Sequence, residues 1–211
     1  GLAGVGTSLR EVHLPGTQLD PNLLRERSTP YHLRLVAEEL YLLQIGLGLR
    51  KRSLSRRSTA ALPIDDEGAA RAIAALPFAL TADQLRAWAE IRADLARSTP
   101  MNRMLIGDVG SGKTVLALLA AAAAHAAGRT TAVLAPTELL AEQHLHTFAR
   151  LGGALGLRTA LLTGSTPAGD RRRLERWLED GALQVVVGTH ALLSESVELP
   201  RLGLAVIDEQ H

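Results

Sequence analysis

An eight-residue glycine-rich segment is the clearest place in this sequence where chemistry could occur. It reads Gly-Asp-Val-Gly-Ser-Gly-Lys-Thr and matches the phosphate-binding pattern G-x-x-x-x-G-K-[ST] at every specified position. Its glycines let consecutive backbone N–H groups converge on phosphate oxygens, and a helix that follows adds partial positive charge. The segment therefore predicts a nucleoside triphosphate site, whose contact residues are Gly107, Asp108, Val109, Gly110, Ser111, Gly112, Lys113 and Thr114.

Two residues of this phosphate loop have individual predicted roles. We expect Lys113, one of only two lysines in the chain, to reach the β- and γ-phosphates as a catalytic residue. We expect Thr114 to offer its hydroxyl to Mg²⁺. A turn that only joins a strand to a helix would not require the lysine. ATP and Mg²⁺ are therefore the predicted cofactors.

A pair of acidic residues near the end of the chain forms the second candidate group. Asp208 and Glu209 follow residues 202–207, an apolar run typical of a buried strand. Two adjacent acids alone could simply be the solvated end of that strand. Together with a phosphate loop they predict that Asp208 is a magnesium ligand and that Glu209 polarises the attacking water, both as catalytic residues.

Alternating short apolar runs and helical segments must position these residues. From about residue 76 this alternation predicts an α/β fold with a parallel, doubly wound sheet, in which ligands bind at the carboxyl ends of the strands. Helices are predicted over residues 113–127 and near 169–179. The predicted strands cover residues 104–106, 131–135, 159–162, 184–187 and 202–207.

The first 75 residues have a different pattern. Asp20-Pro21 and Ser28-Thr29-Pro30 each predict a helix start, because a capping side chain precedes a proline. Apolar residues then recur at spacings of three and four, which predicts an amphipathic helix over about 30–50. The basic stretch at 50–57 could contact phosphates or be a solvated helix end. We interpret residues 1–75 as a helical linker and residues 76–211 as a nucleotide-binding lobe.

Composition excludes several classes of protein. The 23 basic and 22 acidic residues leave a net charge of +1, so any anion site must be local. The absence of cysteine excludes disulfides, thiolate catalysis and cysteine-ligated metals, and favours a reducing, cytoplasmic location. We expect no membrane span, because no apolar run is long enough. The chain starts at Gly1 and stops at His211, directly after Asp208-Glu209-Gln210, so we expect a fragment of a longer protein.

Four short segments resemble helicase motifs in the order in which helicases carry them. Asp208-Glu209-Gln210-His211 resembles motif II of the superfamily 2 helicases of the DExH type. Residues 135–144 resemble motif Ia, residues 162–165 the short glycine motif after the next strand, and residues 188–193 motif Ib. The combination most resembles the RecG branch-migration helicases of bacteria, over nearly the whole chain. Ile106 departs from that family, which usually has glutamine there.

The resemblance implies further site residues. It implies a RecA-like P-loop lobe, truncated at motif II, in which Phe78 and Gln84 pack against the adenine. Gln84 also satisfies the capping-box pattern with Thr81, and His190 could be an ordinary strand-end histidine. Thr137 can cap a helix and still bind a DNA phosphate. The implied DNA-binding residues are Pro136, Thr137, Gly164, Ser165, Thr189 and His190.

The activity implied by the resemblance is ATP-dependent translocation on branched or forked DNA in recombination and repair. A wedge domain and a second RecA-like lobe with an arginine finger lie outside the sequence, so we expect the chain to bind ATP without turning it over. A transcription-repair coupling factor has a similar motor, although its loop usually carries tyrosine where this chain has Ser111. The primosomal replication helicase is a further alternative of the same class. An alternative of another class is a nucleotide-gated binding module, whose ATPase should be indifferent to DNA.

Overall fold

The computed structural model describes residues 2–55, 58–194 and 197–208 and has two compact units, Gly1–Arg57 and Ser58–His211. The first unit is helical, and its helices are α1 (Val5–His13), α2 (Pro21–Arg25) and α3 (Pro30–Ser55). Asp20 begins α2 by accepting from the Asn22 N–H at 2.8 Å, and Thr29 begins α3 by accepting from the His32 N–H at 3.2 Å. Both predicted helix starts are confirmed.

A four-stranded parallel sheet forms the centre of the second unit. Its spatial order is β2-β3-β1-β4, and each neighbouring pair is parallel. The predicted fold class is confirmed, and four of the five predicted strands lie within one residue of their predicted bounds. The strands are β1 (Thr130–Leu134), β2 (Thr159–Leu162), β3 (Val185–Gly188) and β4 (Leu202–Ile207).

Helices cover both faces of this sheet. Val133 and Val187 face one core, which contains the alanine-rich helix at residues 113–126. Leu134 and Val186 face another core, which contains the helix at residues 168–179. Alternate residues of a strand point to opposite faces, so strands buried on both faces must be apolar at successive positions. The helices are α4 (Asp66–Ala74), α5 (Ala82–Leu95), α6 (Lys113–Ala126), α7 (Glu138–Gly152) and α8 (Ala168–Glu179), with 3₁₀ turns at Gly153–Leu155 and His190–Leu193.

The prediction of a strand at residues 104–106 is wrong. Met104 and Ile106 are 70% and 85% exposed in an irregular segment. Just before them, Arg103 donates to Asp94 at 2.7 Å and to Glu90 at 2.5 Å, both on α5. These hydrogen bonds raise the pKa of Arg103, and the bond to Asp94 contributes most. A cavity of about 260 Å³ is lined by residues 101–103 on one side and by β4 on the other. A short apolar run without a paired neighbour cannot complete a strand's hydrogen bonds.

The boundary between the compact units lies before the predicted domain boundary at 75/76. Leu62, Ala69 and Ala72 are buried in the core that contains α6, and the Leu62 N–H donates to the Leu95 carbonyl at 2.8 Å. Residues 58–75 therefore pack as part of the second unit. The interpretation of residues 1–75 as a linker and of 76–211 as a motor lobe stays a prediction.

Candidate functional site

Every strand of the sheet is followed by candidate site residues at its carboxyl end. Because the four strands are parallel, these ends share one edge of the sheet. Helix α6 is joined to β1 by only three residues, so its amino end, with the phosphate loop, lies toward the same edge. The order along the edge is residues 163–165 after β2, 189–190 after β3, 136–137 after β1 and 208 after β4.

The phosphate loop requires glycine at the point where α6 begins. Gly112 is the N-cap of α6 and has a φ of +86°, a left-handed backbone conformation that residues with a side chain rarely adopt. A Cβ placed there would lie 2.3 Å from Nε2 of Gln84. The loop therefore passes directly beside the first turn of α5. Its outer part is exposed, at Gly107, Asp108, Val109, Gly110 and Ser111.

Lys113 is folded back into its own loop. Its Nζ donates to the carbonyls of Gly107 at 2.7 Å and Asp108 at 2.9 Å. An ammonium group has three N–H donors, so contact with a phosphate would add to these bonds or replace them. Thr114 is half-buried in the first turn of α6. Both residues lie in the first turn of α6, and their predicted roles at a phosphate stay predictions.

Gln84 makes two separate sets of hydrogen bonds. Its Oε1 accepts from the Thr81 N–H at 2.9 Å while the Thr81 hydroxyl accepts from the Gln84 N–H at 3.3 Å, which confirms the predicted capping box. Its Nε2 donates to the Ser111 carbonyl at 2.8 Å. Phe78 lies six residues earlier and is 44% exposed. The predicted adenine contacts of Phe78 and Gln84 stay predictions.

Asp208 lies at the carboxyl end of β4 and contacts a residue to which the sequence analysis assigned no role. The Asp208 N–H donates to the Leu134 carbonyl at 2.9 Å, which extends the pairing of β4 with β1. Its Oδ2 is hydrogen-bonded to Nε2 of His144, on α7, at 2.7 Å. Ala141, His144 and Phe148 lie on one face of α7, so helical spacing could have placed His144 toward the core. Glu209, Gln210 and His211 lie outside the described residues.

The candidate DNA-binding residues occupy the neighbouring part of the edge. Thr137 caps α7 by accepting from the Leu140 N–H at 3.3 Å, as predicted. Ser165 Oγ hydrogen-bonds Thr163 at 2.8 Å and donates to Oε1 of Glu138 at 3.4 Å. The loop after β2 is thereby joined to the first residue of α7. Thr189 is half-buried, and the other candidates are exposed: Pro136, Thr137, Gly164, Ser165 and His190.

The donor groups at this edge fit a magnesium ion that arrives with a nucleotide. The described part of the chain contains no group of three or more His, Cys, Asp or Glu side chains that could hold a metal ion. Mg²⁺ is usually bound by one or two carboxylates together with phosphate oxygens and water. The Thr114 hydroxyl and the Asp208 carboxylate, completed by phosphates, match that chemistry. Within residues 2–55, 58–194 and 197–208, no helix has the length and apolar character needed to cross a bilayer.

The chain is similar to several DNA helicases along nearly its whole length. The ATP-dependent DNA helicase RecG of Aquifex aeolicus is 40% identical over 207 residues, which are 98% of this chain and 26% of that protein. The protein of the same name from Thermotoga maritima is 41% identical over 212 residues, covering 100% of this chain and 26% of that protein. That of Escherichia coli is 38% identical over 211 residues, covering 100% and 30%. The chain thus spans 26–30% of the length of these relatives.

A solved structure and a family match agree with these similarities. The structure, described as RecG bound to a three-way DNA junction, is 38% identical with a TM-score of 0.76, and the match covers 92% of this chain and 29% of that one. Residues 81–211 match the DEAD/DEAH box helicase family. That match covers more than half of the chain and includes the phosphate loop, the candidate DNA-binding residues and Asp208. This chain therefore belongs to the DEAD/DEAH box helicase family.

Proposed function

We propose that this chain is the first RecA-like motor lobe, with a helical linker, of an ATP-dependent DNA helicase that acts on branched or forked DNA. The observation that carries the proposal is the placement of the phosphate loop and Asp208 on one sheet edge, beside the candidate DNA-binding residues. The similarity to RecG helicases, one of them solved with a three-way DNA junction, supports this choice of substrate.

On the nucleotide side, Lys113 exchanges its contacts with the Gly107 and Asp108 carbonyls for the β- and γ-phosphates of ATP. Thr114 and Asp208 hold Mg²⁺, which supplies charge neutralisation at the phosphates when it is bound. Glu209 orients the attacking water. Gln84 and Phe78 bind the adenine, and Gln84 also steadies the loop through Ser111.

On the DNA side, the exposed residues after β1, β2 and β3 bind the sugar-phosphate backbone. Thr137 stands at the amino end of α7, where the helix dipole favours a phosphate. Phosphate contacts fix the position of a protein on DNA without reading its sequence. The proposed lobe therefore holds one strand of any sequence through Pro136, Thr137, Gly164, Ser165, Thr189 and His190.

The proposed helicase needs parts beyond the lobe. A second RecA-like lobe encloses the nucleotide and supplies an arginine finger, and a wedge domain separates the arms of the branched substrate. An arginine finger can raise the rate of phosphoryl transfer by about 10³- to 10⁵-fold. The isolated chain therefore binds ATP without hydrolysing it at a useful rate. The cytoplasm is the proposed location of the complete helicase.

Phosphate release tests this function. We would measure it for the isolated chain, for the complete two-lobed helicase and for its Glu209→Gln variant, each with and without forked DNA. We expect hydrolysis by the complete helicase that DNA stimulates, and loss of that hydrolysis in Glu209→Gln with nucleotide binding retained. Glu198→Gln, an exposed acid before β4, is the matched control and should behave as the unaltered helicase.

Two outcomes would contradict the proposal. If the isolated chain hydrolysed ATP as fast as the complete helicase, the nucleotide site would not be shared between lobes. If DNA left the rate of the complete helicase unchanged, a nucleotide-gated binding module would be the better description.

A further inference from the structure

Helix α7 begins at the candidate DNA-binding residues and contacts Asp208 at the carboxyl end of β4. Its N-cap, Thr137, belongs to the candidate DNA-binding residues. His144 lies seven residues further along, which is about two helical turns or 10 Å. Its Nε2 meets Oδ2 of Asp208 at 2.7 Å. One helix therefore contacts both candidate sites.

The contact between His144 and Asp208 is partly shielded from water. The His144 side chain is 15% exposed and that of Asp208 is 35% exposed. The imidazole donates to Oδ2 in the tautomer that carries a proton on Nε2, so Oδ1 would stay available to a magnesium ion. The Asp208 backbone is fixed by its bond to the Leu134 carbonyl. The Asp208 side chain can still rotate about its two side-chain torsions, and the bond to His144 restricts that rotation.

The helix that carries His144 is packed into the core on the same face. Ala141 and Phe148, on the same face of α7, are 0% and 1% exposed, and densely packed side chains of this kind hold a helix as one body. At the start of the helix, Glu138 accepts from Ser165 in the loop after β2. A phosphate that binds Thr137 or Ser165 thus acts on the element that holds His144.

We propose that His144 is a positioning residue that couples DNA binding at the start of α7 to ATP hydrolysis by orienting the Asp208 carboxylate. This inference rests on the proposed function, because it takes Asp208 as the magnesium ligand and residues 136–137 and 164–165 as DNA contacts. A purely structural role for His144 would instead stabilise the fold without affecting the Mg²⁺ requirement or the response to DNA.

The test uses the complete helicase and a matched pair of substitutions on one helix. His144→Leu removes the hydrogen bond, whereas His146→Leu makes the same change at an exposed position two residues away. ATP hydrolysis is titrated with Mg²⁺ in the presence and absence of forked DNA, and DNA binding is measured separately. We expect His144→Leu to lower the stimulation by DNA about tenfold, within the usual range of coupling between sites. It should also raise the Mg²⁺ concentration for half-maximal rate, while DNA affinity and the behaviour of His146→Leu stay unchanged.

Two further substitutions at His144 distinguish a role in positioning Asp208 from a role in packing. In His144→Gln the amide nitrogen can occupy the position of Nε2 and donate to Asp208, whereas the shorter side chain of His144→Asn cannot reach it. We expect Gln to restore most of the stimulation and Asn to restore little. This comparison decides the question even if His144→Leu fails to fold.

Three results would overturn the inference. They are unchanged stimulation and Mg²⁺ requirement in His144→Leu, equal losses in the Gln and Asn variants, and equal losses in His144→Leu and His146→Leu. An unaltered helicase that DNA does not stimulate would instead be a failure of the proposed function itself, and so the two failures are distinguishable.

Discussion

The side-chain amide of Gln84 donates to the backbone carbonyl of Ser111 at 2.8 Å and so joins α5 to the phosphate loop. The same side chain closes the capping box at the start of α5. Since capping fixes the rotamer of Gln84, the helix start and the loop conformation depend on one residue. We expect this contact to support the loop conformation in which Gly112 begins α6.

Substitutions at Thr81 and Gln84 should separate these two roles. Thr81→Ala removes the cap and should lower the free energy of unfolding by about 1 kcal/mol. Gln84→Ala also removes the bond to Ser111, worth about 1 kcal/mol, together with the proposed adenine contact. It should therefore weaken ATP binding about fivefold or more beyond the effect of Thr81→Ala. Thermal unfolding and titration with a fluorescent nucleotide measure the two effects. Equal nucleotide affinities of the two variants would show that the bond to Ser111 does not support the loop.

Lys113→Ala should abolish most of the nucleotide affinity of the isolated chain. A hydrogen bond from an ammonium to a phosphate contributes about 1.5–3 kcal/mol, so the dissociation constant should rise about 10- to 100-fold. Lys51→Ala is the matched control, because Lys51 is the only other lysine and lies on α3. Fluorescence titration with Mg²⁺ present makes the comparison, and equal binding by both variants would remove the phosphate-loop assignment.

DNA binding by the isolated chain should be weak, sensitive to salt and indifferent to sequence. A single lobe reaches few phosphates, so the logarithm of the binding constant should fall with log[salt] with a slope of about 2 to 3. Fluorescence anisotropy with two forks of the same geometry and unrelated sequences provides the measurement. Tight, junction-specific binding at about 0.2 M salt would contradict the assignment of branch recognition to another domain.

Gly188→Ala should destabilise the second unit strongly. A Cβ at Gly188 would lie 1.9 Å from the Leu162 carbonyl oxygen in the neighbouring strand β2, which leaves no room for a methyl group. We expect the free energy of unfolding to fall by about 3 kcal/mol, which is the upper end of the usual range for an overpacked core. Gly164→Ala is the control, because no atom lies within 4 Å of its added Cβ. Urea unfolding compares the two variants. Similar unfolding midpoints would show that β2 and β3 can move apart to make room for the methyl group.

The helices and strands that could be predicted are those marked by a pattern within their own short stretch of sequence. The strands at 159–162 and 202–207 match their predicted bounds because each is a run of mostly apolar residues that pairs with a neighbouring strand. The prediction that residues 202–207 form a buried strand is wrong, because β4 pairs on one side only and most of its residues are not buried. Helix α6 was predicted because a glycine-rich loop precedes it. By contrast, residues 104–106 have the same apolar character as a strand, yet their structure depends on what lies beside them. Composition alone does not contain that information.

Contacts between distant residues could not be predicted from spacing. His144 and Asp208 are 64 positions apart, and Gln84 and Ser111 are 27 apart. The sequence placed Asp208 and Gln84 in a site through motif patterns, but their partners depend on the strand order β2-β3-β1-β4. That order brings the end of β4 beside α7, and no single-residue pattern encodes it.

Within the part of the chain that the structure describes, β4 pairs with β1 alone, and so its other side remains an open edge. Leu202 and Ile207, on this strand, are 42% and 55% exposed. Open edges with apolar side chains are where separate molecules join their sheets, which leads to aggregation. Solubility is therefore expected to limit work on the isolated lobe, and any segment that pairs with β4 would act as a built-in protection against self-association.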